Sequence, residues 1–290
     1  MATAAAVRQV LSVFKLRIGM AIMLCALAGV AVTPGPALEA WRVAVLALAV
    51  LLSSASAGAF NQYVERDLDP LMARTRSRPF ADGTFEASWR WLAAIVLLLA
   101  ISVLAAALAT NLAAAVHTFL GAFVYGVVYT VWLKRRTSAN IVVGGLAGSF
   151  AVLAGAAGVD PGLAPAPLIL AVVLFLWTPP HFWSLASALR GQYAAAGVPM
   201  LPVVIGNARA ARVILAHTVA LSLLALLPVF HGLGWIYLAG ALIGGALFTW
   251  RSIELVRDPS PRQAMRNFGA SLAQLALLLG GAILDRMLLG

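Results

Sequence analysis

The sequence predicts an all-α, polytopic membrane protein with nine transmembrane helices, organised as a single domain over residues 1–290. Three observations support this fold class. The chain is 62% hydrophobic and only 10% charged, whereas soluble domains average about 45–50% and about 25%. Apolar runs long enough to cross a hydrocarbon core, about 20 residues each, recur along the whole chain. Basic residues collect in alternate connections between these runs, as expected when successive helices cross a bilayer in opposite directions.

Nine apolar runs are predicted to span the membrane, and most are bounded by polar or Gly- and Pro-containing connections. The first run has no small-residue cleavage pattern and leads directly into further spans, so it is interpreted as a retained helix and not as a removed signal. The predicted spans are 11–32, 41–63, 89–109, 112–133, 140–159, 165–188, 210–230, 232–250 and 267–288.

The distribution of charge predicts the orientation of these spans. If the N-terminus lies in the cytoplasm and the C-terminus outside, all of the 20 Lys and Arg residues except Arg42 and Arg286 fall on the cytoplasmic side. This agrees with the positive-inside rule and favours a bacterial inner (plasma) membrane. The formal net charge of +10 is thereby explained by interaction with the lipid bilayer, and no nucleic-acid partner is expected.

A polar cluster follows the second span. Half of the ten acidic residues lie between Glu65 and Glu86, although burying carboxylates at the end of an apolar helix is costly. At about 100° per residue, Asn61, Glu65 and Asp69 are predicted to share one face of the helix. Their oxygens suit Mg²⁺, which uses one or two carboxylates together with phosphate and water ligands. The alternative interpretation is a solvated, salt-bridged helix end.

Basic residues near this cluster are candidate ligands for a diphosphate. The forked guanidinium groups of Arg74 and Arg78 match phosphate oxygens, and Lys134, after the fourth span, is predicted to reach the same anion. Lys15 and Arg17, at the start of the first span, are further candidates. For these two residues the alternative is snorkelling, in which a long side chain carries its charge to the membrane surface.

A third unusual segment runs from Trp177 to Trp183 within the sixth span. Two adjacent prolines there remove backbone donors and predict a kink that opens the bundle. The aromatic and imidazole side chains around the kink are candidates for contact with an aromatic or haem-like substrate, whereas a hydrogen-bonded packing histidine is the alternative. The candidates are Trp177, His181, Phe182, Trp183 and, further along, Tyr193.

At these residues the chain resembles the UbiA-type intramembrane prenyltransferases and, within them, the haem O synthase branch. The resemblance covers nearly the whole chain and rests on Asn61 to Pro79, Tyr129 to Gly148 and Trp177 to Val204. The last segment is what separates the haem branch from the quinone and chlorophyll branches. The resemblance implies a nine-helix bundle around a cavity open to the cytoplasm, in agreement with the nine apolar runs.

The activity implied by the resemblance is transfer of a farnesyl group from farnesyl diphosphate to a vinyl group of haem b, with water adding to the product. Mg²⁺ at the first cluster, aided by its cations, would stabilise the departing diphosphate. Tyr129 and Asn140 are then expected to contact substrate as well. The implied downstream partner is haem A synthase or the assembly of a terminal oxidase.

Three positions depart from the usual pattern of this branch. Glu65 stands where an aspartate is usual, and Leu16 in Lys15-Leu16-Arg17 stands where a proline is usual. Gln192 stands where an acidic residue usually precedes the tyrosine, and no acid occurs between Asp160 and Glu254. One carboxylate-bound Mg²⁺ is therefore expected, and a second would lack an acidic ligand.

Three other functions compete with haem farnesylation. A UbiA-type enzyme acting on a quinone precursor or another aromatic acceptor would share the diphosphate site and differ only around His181. A transporter would be favoured by inverted repeats and midplane charges, neither of which is apparent. A non-catalytic protein that binds haem or a prenyl lipid is suggested by the neutral Gln192.

Overall fold

The computed structural model describes residues 2–289, and its long elements are all helices. In chain order these are α1 Ala2–Val13, α2 Leu16–Val32, α3 Ala40–Val64, α4 Trp89–Ala109, α5 Leu112–Phe123, α6 Asn140–Gly144, α7 Leu146–Val159, α8 Pro165–Ala188, α9 Arg190–Ala195, α10 Leu201–Ile205, α11 Asn207–Leu224, α12 Trp235–Arg257 and α13 Pro261–Leu288. A π-helix, Val124–Leu133, continues α5, and short 3₁₀ turns lie at Glu65–Asp67, Asp69–Leu71 and Leu227–His231.

The predicted polytopic all-α membrane fold is confirmed, with nine spans among the described residues when a bent pair of helices is counted as one. Within residues 2–289, eight helical segments are long and apolar enough to cross a membrane, and the bent pair Val7–Val13 and Leu16–Val32 makes a ninth. Consecutive spans alternate in direction, so the connections 65–88, 134–139 and 189–206 lie at one end of the bundle, here called the basic end. The molecule is thus an integral membrane protein built as an all-α bundle.

The first span, predicted over 11–32, is bent near its start. The axes of its two parts differ by 49°, and Lys15 at the break has a left-handed φ of 48°. Such a conformation is uncommon for a residue other than glycine. It is accompanied by two side-chain contacts, because Lys15 Nζ donates to Asn61 Oδ1 and lies 3.3 Å from the hydroxyl of Tyr125. The break therefore turns a lysine toward the interior of the basic end.

The fourth and fifth spans are also irregular at the basic end. The π-helix replaces the second half of the fourth span, and π segments often occur at functional sites. The fifth span breaks at Gly145, between α6 and α7. A Cβ at Gly145 would lie 3.1 Å from the carbonyl oxygen of Phe175. In a regular helix this carbonyl would accept a hydrogen bond from residue 179, but Pro179 has no N–H to donate. These irregularities surround the cavities described below.

Helices α2 and α7 pack backbone against backbone through two glycines. A Cβ at Gly29 would lie 2.1 Å from the carbonyl oxygen of Val152, and one at Gly155 would lie 1.9 Å from that of Ala26. Small residues commonly permit such close approach of helices in membranes, where packing must supply much of the association energy. This contact fixes the first span against the centre of the bundle.

The variant Gly155→Ala is expected to destabilise the protein by about 1–3 kcal/mol or more, because the added methyl group forces α2 and α7 apart. The measurement is the thermal unfolding midpoint in detergent. Gly280→Ala is the matched control, since a Cβ there meets nothing within 4 Å and the residue also lies within a helix. Equal midpoints for the two variants would contradict the close packing of α2 against α7.

Candidate active site

A polar cavity of about 110 Å³ lies at the basic end, among α2, α3, the π-helix, α8 and the segment 65–78. The charged side chains that line it comprise four cations and two carboxylates, a formal excess of two positive charges that favours a polyanionic ligand. These side chains are Lys15, Glu65, Asp69, Arg74, Arg78 and Lys134. The uncharged lining includes Asn61, Tyr129 and Tyr193, which the sequence also predicted as site residues.

The three predicted metal ligands all reach this cavity, although not from one continuous helix. Asn61 lies on α3, which ends at Val64; Glu65 begins a 3₁₀ turn, and Asp69 begins the next. The prediction that all three share one helical face is therefore wrong for Asp69. The physical reason is Pro70, which disfavours a helical conformation at the preceding residue and cannot donate a backbone hydrogen bond.

Each predicted metal ligand is paired with one cation. Lys134 donates to Glu65 Oε1, and Lys15 donates to Asn61 Oδ1. Arg78 Nη1 lies 2.8 Å from both carboxylate oxygens of Asp69 and 4.0 Å from Glu65 Oε2.

These pairs are shielded from solvent. Asn61, Glu65 and Asp69 are 2%, 1% and 3% exposed. Burial raises the pKa of the Asp69 carboxyl, and the adjacent Arg78 guanidinium opposes that rise. The pairing offsets the cost of burying the carboxylates, which is several kcal/mol for an unpaired ion. Arg74 lines the same cavity and makes no ion pair among the described residues, so its charge is available to a ligand.

A further ion pair, between Asp67 and Arg135, lies close by in sequence but outside the cavity. Asp67 receives two hydrogen bonds from Arg135, at 2.7 and 2.6 Å, and the two side chains are 62% and 42% exposed. Neither Asp67 nor Arg135 lines the polar cavity. The exposed Asp67–Arg135 pair therefore provides control positions for the buried pairs Asp69–Arg78 and Glu65–Lys134.

A larger and mainly apolar cavity of about 410 Å³ adjoins the polar one. The two cavities share seven lining residues, among them Lys15, Arg74, Tyr125, Thr178 and Phe182, so they meet at these side chains. The apolar cavity extends among α2, α3, α5, α7, α8 and α13. Arg17, predicted to bind substrate, lines this cavity and not the polar one.

The aromatic segment of α8 is divided between the cavity and the protein interior. Trp177, His181 and Phe182 line the apolar cavity. Trp183 lines neither cavity; it is 3% exposed and packs edge-on against His217 with ring centroids 5.1 Å apart. The prediction that Trp183 contacts substrate is not supported by this position, because successive residues of a helix point about 100° apart.

Asn140 likewise lies outside both cavities. It is fully buried, and its Nδ2 donates to the backbone carbonyl of Lys134 at 3.1 Å. Its position indicates that it supports the segment carrying Lys134, where the sequence predicted direct contact with substrate.

Several lining and supporting residues were not predicted from the sequence. Tyr125 lines both cavities, and Thr130 accepts a hydrogen bond of 3.0 Å from Asn61 Nδ2. Phe268 and Ser271, on α13, both contact His181. These are ordinary residues within apolar spans, and no local pattern distinguishes them from packing residues.

The UbiA prenyltransferase family model matches residues 22–278, nearly the whole chain. The chain belongs to the UbiA prenyltransferase family. Within this UbiA family, the chain is similar to two proteins of Paramagnetospirillum magneticum. It is 58% identical to protoheme IX farnesyltransferase 2, over 96% of the chain and 97% of that protein. It is 47% identical to protoheme IX farnesyltransferase 1, over 96% of the chain and 98% of that protein.

Solved UbiA-type structures share the fold of this chain. A digeranylgeranylglyceryl phosphate synthase superposes with a TM-score of 0.79 at 16% identity, covering 97% of this chain and 98% of that one. A UbiA homologue from Aeropyrum pernix gives 0.75 at 20% identity, covering 93% and 98%. A UbiA homologue from Archaeoglobus fulgidus bound to GPP and Mg²⁺ gives 0.69 at 17% identity, covering 95% and 99%. The predicted all-α membrane fold therefore agrees with the fold of these structures.

Proposed function

We propose that this UbiA-family enzyme transfers a farnesyl group from farnesyl diphosphate to a vinyl group of haem b. The observation that carries the proposal is the meeting of two unlike cavities. A cation-rich polar cavity suited to a diphosphate lies directly beside an apolar cavity lined by Trp177, His181 and Phe182. The shared name of the P. magneticum relatives supports both the farnesyl donor and the protohaem acceptor.

The donor set of the polar cavity fits Mg²⁺ held together with a diphosphate. Glu65 and Asp69 supply hard carboxylate oxygens and Asn61 an amide oxygen, as Mg²⁺ prefers. Within residues 2–289, no three carboxylate, imidazole or thiolate groups lie close enough to hold a metal alone, so phosphate oxygens and water would complete the shell. A structure of the A. fulgidus homologue with GPP and Mg²⁺ supports this assignment. When bound, the metal neutralises diphosphate charge.

Binding of a metal and a diphosphate would exchange the partners within the site. Lys134, Arg78 and Lys15 now occupy the oxygens that a metal would need. The same cations are long enough to turn from these oxygens to those of a diphosphate, where Arg74 adds a further charge. This exchange keeps both buried carboxylates paired before and after the ligand binds, which avoids the cost of an unpaired buried ion.

The reaction at the cavity junction is an ionisation followed by capture. The C1–O bond of farnesyl diphosphate breaks and its electron pair leaves with the diphosphate, which the surrounding cations stabilise. The vinyl π electrons of haem then bond to C1, and water captures the resulting cation and releases a proton. The apolar walls exclude water from the allylic cation until the vinyl group has reacted. No protein nucleophile takes part.

A mass-spectrometric assay tests the proposed function. Purified protein is incubated with farnesyl diphosphate, Mg²⁺ and haem b, and the expected product is haem that has gained one farnesyl group and one hydroxyl group. Mesohaem, in which ethyl groups replace the vinyl groups, is the matched control and should give no product. Prenylation of 4-hydroxybenzoate without prenylation of haem would instead identify the enzyme as one that acts on quinone precursors.

We also propose that the basic end faces the cytoplasm of a bacterial inner membrane, so that the N-terminus is cytoplasmic and the C-terminus external. The confinement of nearly all Lys and Arg residues to one side supports this orientation. In a Cys25→Ser background, a cysteine introduced at Ala2 should be protected from an impermeant thiol reagent in intact cells. Labelling at this position before lysis would contradict the proposed orientation.

The number of Mg²⁺ ions is proposed to be one. Gln192 is neutral, its Oε1 is buried without a hydrogen-bond partner, and it lines neither cavity, although the adjacent Tyr193 lines the polar one. An amide offers a carbonyl oxygen but no negative charge to offset a second divalent ion. Gln192→Glu is expected to raise activity at low Mg²⁺, and Gln192→Ala is expected to change activity little. The measurement is activity as a function of Mg²⁺ concentration. A loss of activity in Gln192→Ala comparable to that in Asp69→Ala would contradict the single-ion proposal.

A further inference from the structure

The ring of His181 is held on both faces by aromatic side chains. Trp177 stacks on it with ring centroids 4.3 Å apart and an interplanar angle of 18°, and Phe268 of α13 stacks at 4.5 Å and 27°. Phe182 contacts the ring edge-on at 5.0 Å. Trp177 is itself fixed, because its Nε1 donates to the backbone carbonyl of Ser271 at 3.0 Å. The imidazole therefore has little freedom to rotate.

The hydroxyl of Ser271 determines which nitrogen of His181 carries the proton. Ser271 Oγ lies 2.7 Å from His181 Nδ1 and 2.6 Å from the carbonyl oxygen of Phe268. A carbonyl can only accept a hydrogen bond, so the single hydroxyl proton is directed to Phe268. In that arrangement Nδ1 carries the ring proton and donates to Ser271 Oγ, so Nε2 is assigned as the unprotonated nitrogen with a free lone pair.

Nε2 has no hydrogen-bond partner among the described residues, and His181 lines the apolar cavity. Trp177 and Phe268 cover the two faces, Ser271 takes the Nδ1 edge and Phe182 contacts a further part of the rim. Nε2, which makes no hydrogen bond within the described part of the chain, is the ring nitrogen left for a ligand. An unprotonated imidazole nitrogen in apolar surroundings is a strong ligand for iron and a common axial ligand of haem. Metal-binding histidines typically donate their other ring N–H to an oxygen, as His181 does here.

We infer that His181 Nε2 coordinates the haem iron within the apolar cavity, with Ser271 as the positioning residue. This inference rests on the proposed function, since it takes haem as the acceptor. Coordination would fix the porphyrin plane relative to α8 and thereby hold one vinyl edge near the polar cavity. It would also explain a histidine with a free lone pair in a cavity whose other walls are mainly apolar.

The test measures whether the protein coordinates ferric haem in the absence of farnesyl diphosphate. Visible absorption and electron paramagnetic resonance spectra report the ligands of the iron. The wild-type protein should show a histidine-ligated spectrum that His181→Ala loses and that added imidazole restores. His217→Ala is the matched control, because His217 lies on α11, lines neither cavity and bonds to the Val213 carbonyl. Ser271→Ala should weaken haem binding about tenfold, the lower end of the usual effect of a histidine's hydrogen-bond partner, and Ser271→Thr should restore it.

Two further measurements separate the outcomes. Metal-free protoporphyrin IX should bind equally to the wild-type protein and to His181→Ala. The variant should also retain Mg²⁺-dependent binding of farnesyl thiodiphosphate, and this retained binding would show that it is folded. An unchanged haem spectrum in His181→Ala, in an enzyme that still farnesylates haem, would overturn the inference alone. Failure of the wild-type protein to bind or farnesylate haem would overturn the proposed acceptor and the inference together.

Discussion

Asp69→Asn is expected to lower farnesyl transfer by about 100-fold or more, whereas Asp67→Asn should retain nearly wild-type activity. Asp69 is buried in the polar cavity and paired with Arg78, while Asp67 is exposed and paired with Arg135. The asparagine keeps the shape of the side chain but removes a negative charge that Mg²⁺ requires. Loss of charge stabilisation at a reacting group typically costs 10²–10³ in turnover.

The pair of variants should be compared by kcat at saturating farnesyl diphosphate and by thermal midpoint in detergent. Asp69→Asn should remain folded, because asparagine can still accept a hydrogen bond from Arg78. Increasing Mg²⁺ should recover little of the lost activity. Equal activity of Asp69→Asn and Asp67→Asn would remove the metal role assigned to Asp69.

Lys134→Met is expected to have a comparably large effect, while Arg135→Met should be mild. Lys134 is paired with the buried Glu65 and lines the polar cavity, whereas the neighbouring Arg135 is paired with an exposed carboxylate. Removal of Lys134 leaves the buried Glu65 with only the Arg78 guanidinium, 4.0 Å away, and breaking a buried ion pair typically costs about 3–5 kcal/mol of stability. It also removes a cation proposed to stabilise the departing diphosphate.

A double variant separates these two consequences. Lys134→Met combined with Glu65→Gln removes both charges, so it should recover much of the lost thermal stability while activity stays low. The measurements are the thermal midpoint and kcat of each single variant and of the double variant. Recovery of activity together with stability would show that Lys134 serves only to pair Glu65 and has no part in diphosphate departure.

The fold could be predicted because the bilayer imposes strong rules on composition. Spans must be apolar and about 20 residues long, and basic connections collect on one side, so both features can be read from local sequence. The polar cluster around Glu65 was equally visible, since carboxylates are rare in this chain and costly at the end of an apolar helix. Its association with Lys134 followed from their predicted location at the same end of the bundle.

The remaining details depend on contacts between distant segments. The bend at Lys15 and the π-helix at Val124–Leu133 have no clear sequence signal, since each departs from the backbone geometry that local propensity favours. Ser271 fixes His181 from a helix 90 residues further along the chain. Trp183 and Asn140 were assigned to the substrate because they stand beside good candidates, but neighbouring helical residues face different directions.

The central claim is that the polar cavity holds a prenyl diphosphate together with Mg²⁺ through its buried carboxylates. The most direct measurement is calorimetric titration of the purified protein with farnesyl thiodiphosphate, a poorly ionising analogue, with and without Mg²⁺. The account predicts binding that is at least about tenfold tighter with Mg²⁺ in the wild-type protein and in Asp67→Asn, and independent of Mg²⁺ in Asp69→Asn. Binding by the wild-type protein that is equally tight without any divalent ion would contradict it.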